Sequence, residues 1–296
     1  MTLAKDYVKR LVQSAILKKP YFANSIALTN FSSYLHKIKS VEIELSVNAR
    51  LGKMGETIHM PIDNIILPKV LSEGEWEPEV IDSILRAVDL TKSYDLIDIG
   101  ANCGLFTRQL LLSGISVGSA VCIEPDAANF SCLQKNLNVF HNVMFFNFGL
   151  GYENSRRNFF KDNKNHGNNS FIKIEKGPDA MRNEEFNVLQ VEMKDTNQFF
   201  CEIQSTMAQN IIWKSDVQGF DEIIISLTPD IIWDRVKFAL VELTRVSKPD
   251  FNKEDFAKKI LPFKSRMLGP VNCSVEDIMN YIDNVDGDHK DLFLAR

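Results

Sequence analysis

The sequence is short of everything that marks the extreme classes of chain. Its five cysteines, Cys103, Cys122, Cys132, Cys201 and Cys273, are odd in number and form no C-x-x-C pair. That excludes a disulfide framework and a zinc ribbon and points to a reducing compartment, the cytoplasm. Glycine and proline, at 14 and 10 residues, are too few for a collagenous or linker-dominated chain. No run reaches the ~18 apolar residues of a membrane span, because the best candidate, Leu105 to Ile123, is broken by Arg108 and Gln109. Met1 to Arg10 is charged where a signal peptide needs its apolar stretch. Basic side chains are outnumbered 34 to 39, a net charge of −5. The chain as a whole therefore has no pull towards nucleic acid or anionic lipid, and neither a nucleic-acid partner nor stable membrane insertion is expected.

What is present is the composition of a folded chain. Hydrophobic residues make up 45% and charged residues 25%, enough for a buried core. The expected division is an accessory segment over 1–74 and a larger domain over 75–296. In the first part, Val8, Leu11, Val12 and Ala15 have helical spacing up to Pro20 and predict a short amphipathic helix. Its Lys9, Arg10, Lys18 and Lys19 form a solvated basic face. The alternation Val41/Ile43/Leu45/Val47, then Ile58/Met60, with Gly52 and Gly55 between, predicts a hairpin. Pro78 suits the first turn of a helix carrying Val80, Ile81, Ile84 and Leu85.

From there apolar strands and helices alternate. Leu96 to Ile99, Val121 to Ile123, Val143 to Phe146, Ile211 to Trp213 and Phe238 to Val241 read as strands, with helical runs from Leu105, Phe130 and Phe220 between them. This order predicts an α/β fold with a mostly parallel sheet and helices on both faces. Ser274 and Asp277 form a capping-box pattern before a last helix, and Leu292 to Leu294 a last strand. The polar interval 154–170 reads as a long loop, a lid that ligand binding would order.

In an open α/β sheet, ligands bind beyond the carboxyl ends of the strands. The first strand there runs into the turn Asp98-Ile-Gly-Ala-Asn-Cys-Gly104, which lacks the spacing of a dinucleotide fingerprint because Asn102 and Leu105 stand where glycines are needed. Asp98 before the turn would repel a pyrophosphate but attract the cationic methionine end of S-adenosylmethionine. The second strand ends in Glu124-Pro125-Asp126, with an acid where nucleotide-binding α/β units hold the ribose hydroxyls.

These residues, with Asn129-Phe130 and Leu133, Gly167-Asn-Asn-Ser170 and Lys214-Ser-Asp216-Val-Gln-Gly219-Phe-Asp221, resemble the FkbM-type methyltransferase family over about residues 75–244. Ser215 and Asp221 depart from it, where the family has Ile or Leu and Glu. The resemblance implies a Rossmann-like class I methyltransferase sheet, with the N-terminal helix and hairpin as an extension, and S-adenosyl-L-methionine as cofactor. It also implies O-methylation, often of a sugar or glycan hydroxyl. Carried over by position, Asp98, Gly100 and Asn102 would cradle the methionine end, with Ala101 and Gly104 also in contact with the cofactor; Glu77 would sit near the methionine amino group or serve as a first-turn acid of its helix. Glu124 and Pro125 would hold the ribose, and Asp126, Phe148 and Gly149 the adenine.

An attacking alcohol loses its proton, so a base within reach helps. Asp216 and Glu242, ending the fourth and fifth strands, are the candidates, with His166 as a third because imidazole titrates near neutrality. The histidines show no metal-ligand spacing with one another or with the acids, so no structural metal is expected, while a Mg²⁺ bridging substrate and Asp216 stays open. Two rival readings keep the fold: a peptide, lipid or aromatic acceptor, or a cofactor-binding scaffold without turnover. The presence of Asp98, Glu124 and Asp216 together weighs against the scaffold.

Overall fold

The computed structural model describes residues 40–44, 50–53, 55–63, 65–162, 165–175, 186–248 and 250–296. The helix expected from Val8 to Ala15 lies outside them. The hairpin is present: β1 (Ser40–Glu44) pairs antiparallel with β2 (Thr57–Pro61). After it come α1 (Ile66–Glu73), which takes Pro68 into its first turn, and α2 (Pro78–Ala87) with Pro at its first position.

The body alternates as its apolar periodicity requires. It runs β3 (Ser93–Ile99), α3 (Leu105–Leu112), β4 (Ser116–Ile123), α4 (Ala127–Leu137) and β5 (Val143–Phe146). A second sheet follows, made of β6 (Gly149–Gly151), β7 (Ser155–Asp162) and β8 (Phe186–Asp195). Then come α5 (Thr196–Ile203), β9 (Ile211–Ser215), α6 (Asp221–Leu227), α7 (Asp230–Trp233), β10 (Val236–Thr244) and α8 (Lys253–Ile260). The chain closes with β11 (Ser265–Leu268), β12 (Val271–Asn272), α9 (Val275–Ile282) and β13 (His289–Ala295). The capping box at Ser274 and Asp277 opens α9 as its sequence predicts.

The main sheet has the order β12-β11-β13-β10-β9-β3-β4-β5. Strands β10, β9, β3, β4 and β5 run parallel to their neighbours in that stretch, and β13 is antiparallel to both β10 and β11. This is the mostly parallel, Rossmann-like α/β sheet expected. Its order reverses between β3 and β9, the switch point at which such sheets open a crevice.

Two polar residues that break the apolar run of α3 are its clasps. Arg108, only 4% exposed, donates to the carbonyls of Leu51 and Asn136 and pairs with Glu56, fixing the hairpin connection. Gln109 brackets Trp76, accepting from its N–H at 2.6 Å and donating to its carbonyl. Ile58, Met60, Leu67 and Val70 share one apolar cluster with Cys103, Leu105 and Cys132. The described part of the accessory segment is thus packed into the body, against α3 and α4.

The loop expected over 154–170 is a strand in its first half. β7 pairs with β8 through eight successive positions, from Ser155↔Met193 to Asp162↔Phe186. The reason lies in β8, whose partly exposed, mixed side chains give no apolar alternation to read. After β7, the 3-10 turn His166–Asn168 is pinned rather than free. Asp63 accepts its backbone N–H, Asn102 Nδ2 donates to the His166 carbonyl at 3.4 Å, and Ser170 Oγ donates to the Gln218 carbonyl at 2.7 Å.

Candidate active site

The cleft at the switch point begins with the turn that ends β3. Gly100, Asn102 and Gly104 all have positive φ, at 74°, 50° and 82°, a left-handed backbone at alternate residues of the turn. Gly100 is also required by proximity: a Cβ there would lie 2.0 Å from the Asp216 carbonyl oxygen. The N–H groups of Gly100 and Ala101 both donate to the Ile123 carbonyl, binding the turn to the end of β4. Asn102 tolerates the left-handed region because its side-chain oxygen accepts from the next N–H, Cys103, at 2.8 Å. Among the described residues four non-glycines have positive φ, and three of them, Glu77, Asn102 and Gln218, stand in or beside this cleft. Such conformations cost energy and gather where geometry matters.

Glu124 follows β4 and is 4% exposed. Its two oxygens accept from the backbone N–H groups of Asn102 and Asp126, each at 2.8 Å. Burial pushes its carboxyl up to about 8, against the lowering effect of those hydrogen bonds. Each oxygen keeps a lone pair for a ligand donor. Asp126 is placed differently from its expected adenine role. One oxygen caps α4 by accepting from Ala128 and Asn129, the other pairs with Lys161 at 2.7 Å, and the side chain lies outside the cleft wall. Pro125, Phe148 and Gly149 do line the cleft.

Asp98 does not reach the wall either. It is fully buried beneath the turn, where Thr107 donates to it at 2.5 Å and Lys214 Nζ lies 3.5 Å away. Burial raises its carboxyl above the ordinary range and Lys214 opposes the rise. Lys214 in β9 also donates to the Gly100 carbonyl at 2.9 Å and sits 3.7 Å from Asp216. Burial works against its ammonium, but Asp98, Asp216 and Glu77 outweigh it and hold the lysine charged.

The other rim is acidic. Asp216 lines the cleft and accepts from Gln218 Nε2 at 3.2 Å. Glu242 on β10 stands behind it, raised well above the usual range by burial and by the neighbouring Asp216, with Thr244 donating at 3.4 Å. Across the β10–β13 ladder it faces Asp291, which burial pushes up to about 6. Glu77, also in the wall, is pushed up to about 7 by burial, then by Asp216. So many carboxyls around one ammonium cannot all ionise at neutral pH.

The cleft has a cavity volume of about 80 Å³ and is partly open to solvent. It brings together Glu77, Gly100, Ala101, Asn102, Glu124, Pro125, Phe148, Gly149, His166 and Asp216 of the residues expected. Asp98, Gly104, Asp126 and Glu242 support it from behind. His166 is held down to about 4 by burial and by Lys161, so it is neutral at physiological pH. Three wall side chains each keep a buried polar atom with no protein partner: Asn129 Oδ1, His166 Nδ1 and Asn169 Nδ2. Lys214 is a further cleft residue, in the last pleat of β9 two residues before Asp216, so that both reach the same side of the sheet end. Among the described residues no group of three or more His, Cys, Asp or Glu side chains is arranged to hold a metal ion. No helix among them is long and apolar enough to cross a membrane.

No family model matches the sequence, and no curated protein matches it. Three solved structures that it resembles have TM-scores of 0.40 or less. One is the methyltransferase FkbM from Methylobacillus flagellatus, with 12% identity and a TM-score of 0.37, covering 90% of this chain and 58% of that one. Another is the SAM-dependent methyltransferase from Agrobacterium tumefaciens, with 5% identity and a TM-score of 0.40, covering 86% and 69%. A candidate RNA methyltransferase from Pyrococcus horikoshii has 12% identity and a TM-score of 0.32, covering 73% and 80%. The chain thus spans little more than half the length of the first of these.

Proposed function

We propose that this chain is an S-adenosylmethionine-dependent methyltransferase that transfers the methyl group to a hydroxyl of a sugar, glycan or related metabolite. The observation that carries the reading is Glu124, a buried carboxylate at the cleft wall whose two oxygens are fixed by backbone N–H groups on either side. That geometry suits the two hydroxyls of a ribose, whose donors an ionised carboxylate accepts. The unpartnered polar atoms of Asn129, His166 and Asn169 fit a ligand with several hydrogen-bonding groups. When bound, S-adenosylmethionine supplies an electrophilic methyl on a sulfonium.

The residues of the chain then divide the work. The turn Gly100 to Gly104 and Glu77 bind the methionine end, and Phe148 with Gly149 flanks the base. Asp216 faces the acceptor and takes up the proton of the attacking hydroxyl, with Glu242 behind it. Holding the two reactants in line contributes much of the acceleration. Calorimetric titration tests the reading: binding of S-adenosylmethionine and S-adenosylhomocysteine but not NAD supports it, and no heat with either sulfur ligand removes it. A radiolabelled methyl-transfer assay on glycan, lipid, peptide and RNA fractions then identifies the acceptor class.

A further inference from the structure

We infer that Lys214 is a positioning residue: its ammonium, shared by the Gly100 carbonyl, Asp98 and Asp216, ties the glycine turn to the carboxylate of the opposite rim so that both halves of the cleft keep one geometry. The sheet register creates the tie. Lys214 on β9 lies directly opposite Asp98 on β3, and Ser215 opposite Ile99, so the chain leaves both strands at the same level. There the backbones already touch, with the Asp216 N–H donating to the Ile99 carbonyl at 3.0 Å.

An ammonium has three donors and no acceptor. Here it donates to the Gly100 carbonyl at 2.9 Å and pairs ionically with Asp98 and Asp216, on two different strand ends, at 3.5 and 3.7 Å. Lys214 is 7% exposed, and the ring of Phe106 lies 6.0 Å from its nitrogen, keeping water from that side. Burying a charge for stability alone is a poor return, since an apolar residue of similar volume usually serves as well or better. What an apolar residue cannot do is hold a carbonyl of the cofactor turn and a carboxylate of the acceptor rim to the same point.

The tie belongs to the protein alone, and only its consequence for the cofactor rests on the proposed function. Two measurements on the full chain separate them: thermal melts of wild type, Lys214→Met and Lys214→Arg from about pH 5 to about pH 8.5, and calorimetry with S-adenosylhomocysteine. Removing the ammonium leaves the buried Asp98 without its counter-charge, which costs most where Asp98 would be ionised. The methionine variant is therefore expected to melt lowest relative to wild type at the alkaline end, with the deficit shrinking towards acid, and the arginine variant to recover most of it. Lys214→Met should also bind the nucleoside at least about tenfold more weakly. A deficit equal at every pH and not recovered by arginine would mean that the side chain only packs, and would overturn the inference. So would unchanged melting and affinity. If the methionine variant does not fold at the alkaline end, the Asp98→Asn/Lys214→Met pair decides: folding regained with binding still lost supports the tie, and failure to fold at any pH overturns it. Wild-type protein that does not bind the nucleoside overturns the proposed function and leaves the melts to judge the tie.

Discussion

Glu124 and Asn102 are joined by a 2.8 Å hydrogen bond from the backbone of one to the carboxylate of the other, so that a single side chain links the end of β4 to the turn after β3. The carboxyl is held up to about 8 by burial. A raised carboxyl stabilises the folded state in its protonated form, and that contribution is lost as pH rises through about 8. A ligand diol donates to the ionised form, so affinity for S-adenosylmethionine is expected to increase as pH rises from neutrality through about 8 and then level off. Glu124→Gln should weaken binding by about 1–3 kcal/mol and flatten this dependence. Calorimetry on either side of pH 8 checks both, and a wild-type affinity that does not change with pH would remove Glu124 from the binding site.

Gly100→Ala tests the turn itself. With φ at 74° and the Asp216 carbonyl where the new methyl would stand, the substitution must push the ends of β3 and β9 apart. Cofactor binding is expected to disappear while the fold survives with a loss of about 1–3 kcal/mol. Denaturant unfolding and calorimetry on the same preparation read the two effects separately.

Asp216→Asn keeps the shape of the rim and removes the base. Once an acceptor is known, turnover at saturating substrates should fall by about 10²–10⁴ while the affinity for S-adenosylmethionine changes little. Equal turnover in both proteins would remove Asp216 as the base.

His166 makes an acid-side prediction. Its ring is held down to about 4, from an ordinary 6.5, by burial and then by Lys161. The unfolded chain therefore takes up the proton first, and stability is lost as pH falls from about 6.5 towards about 4, on the order of 2 kcal/mol. His166→Gln should unfold less steeply over that range in urea titrations. An identical acid limb would show that the ring is not buried as described.

The parallel strands were legible in the sequence because each is a short apolar run between helices of clear period, and Val143–Phe146 ends where its pattern does. The cleft was legible for the same reason, since strand ends are where ligands sit. Asp98 and Asp126 could not be told from their supporting roles, because spacing does not say whether a carboxylate faces a cleft or a helix terminus. Arg108 and Gln109 were read only as breaks in an apolar run, yet they are the clasps for the hairpin and for Trp76. β8 was missed since its side chains are exposed on both faces over much of its length.

The reversed strand β13 carries a consequence for how the protein is made. His289–Ala295 lies between β10 and β11 and supplies both with their ladder partner, although it is the last strand in the chain. Until it arrives, the edges of β10 and β11 that face it lack hydrogen-bonding partners, and an open edge invites pairing with other molecules. Assembly of that half of the sheet must wait until β13 has been made, whereas β3, β4 and β5 can pair before it. The binding turn and Glu124 belong to this early half, and the Glu242–Asp291 pair to the late one. A nascent chain would therefore form the turn at Gly100 and the Glu124 side of the cleft before the Glu242–Asp291 side is complete.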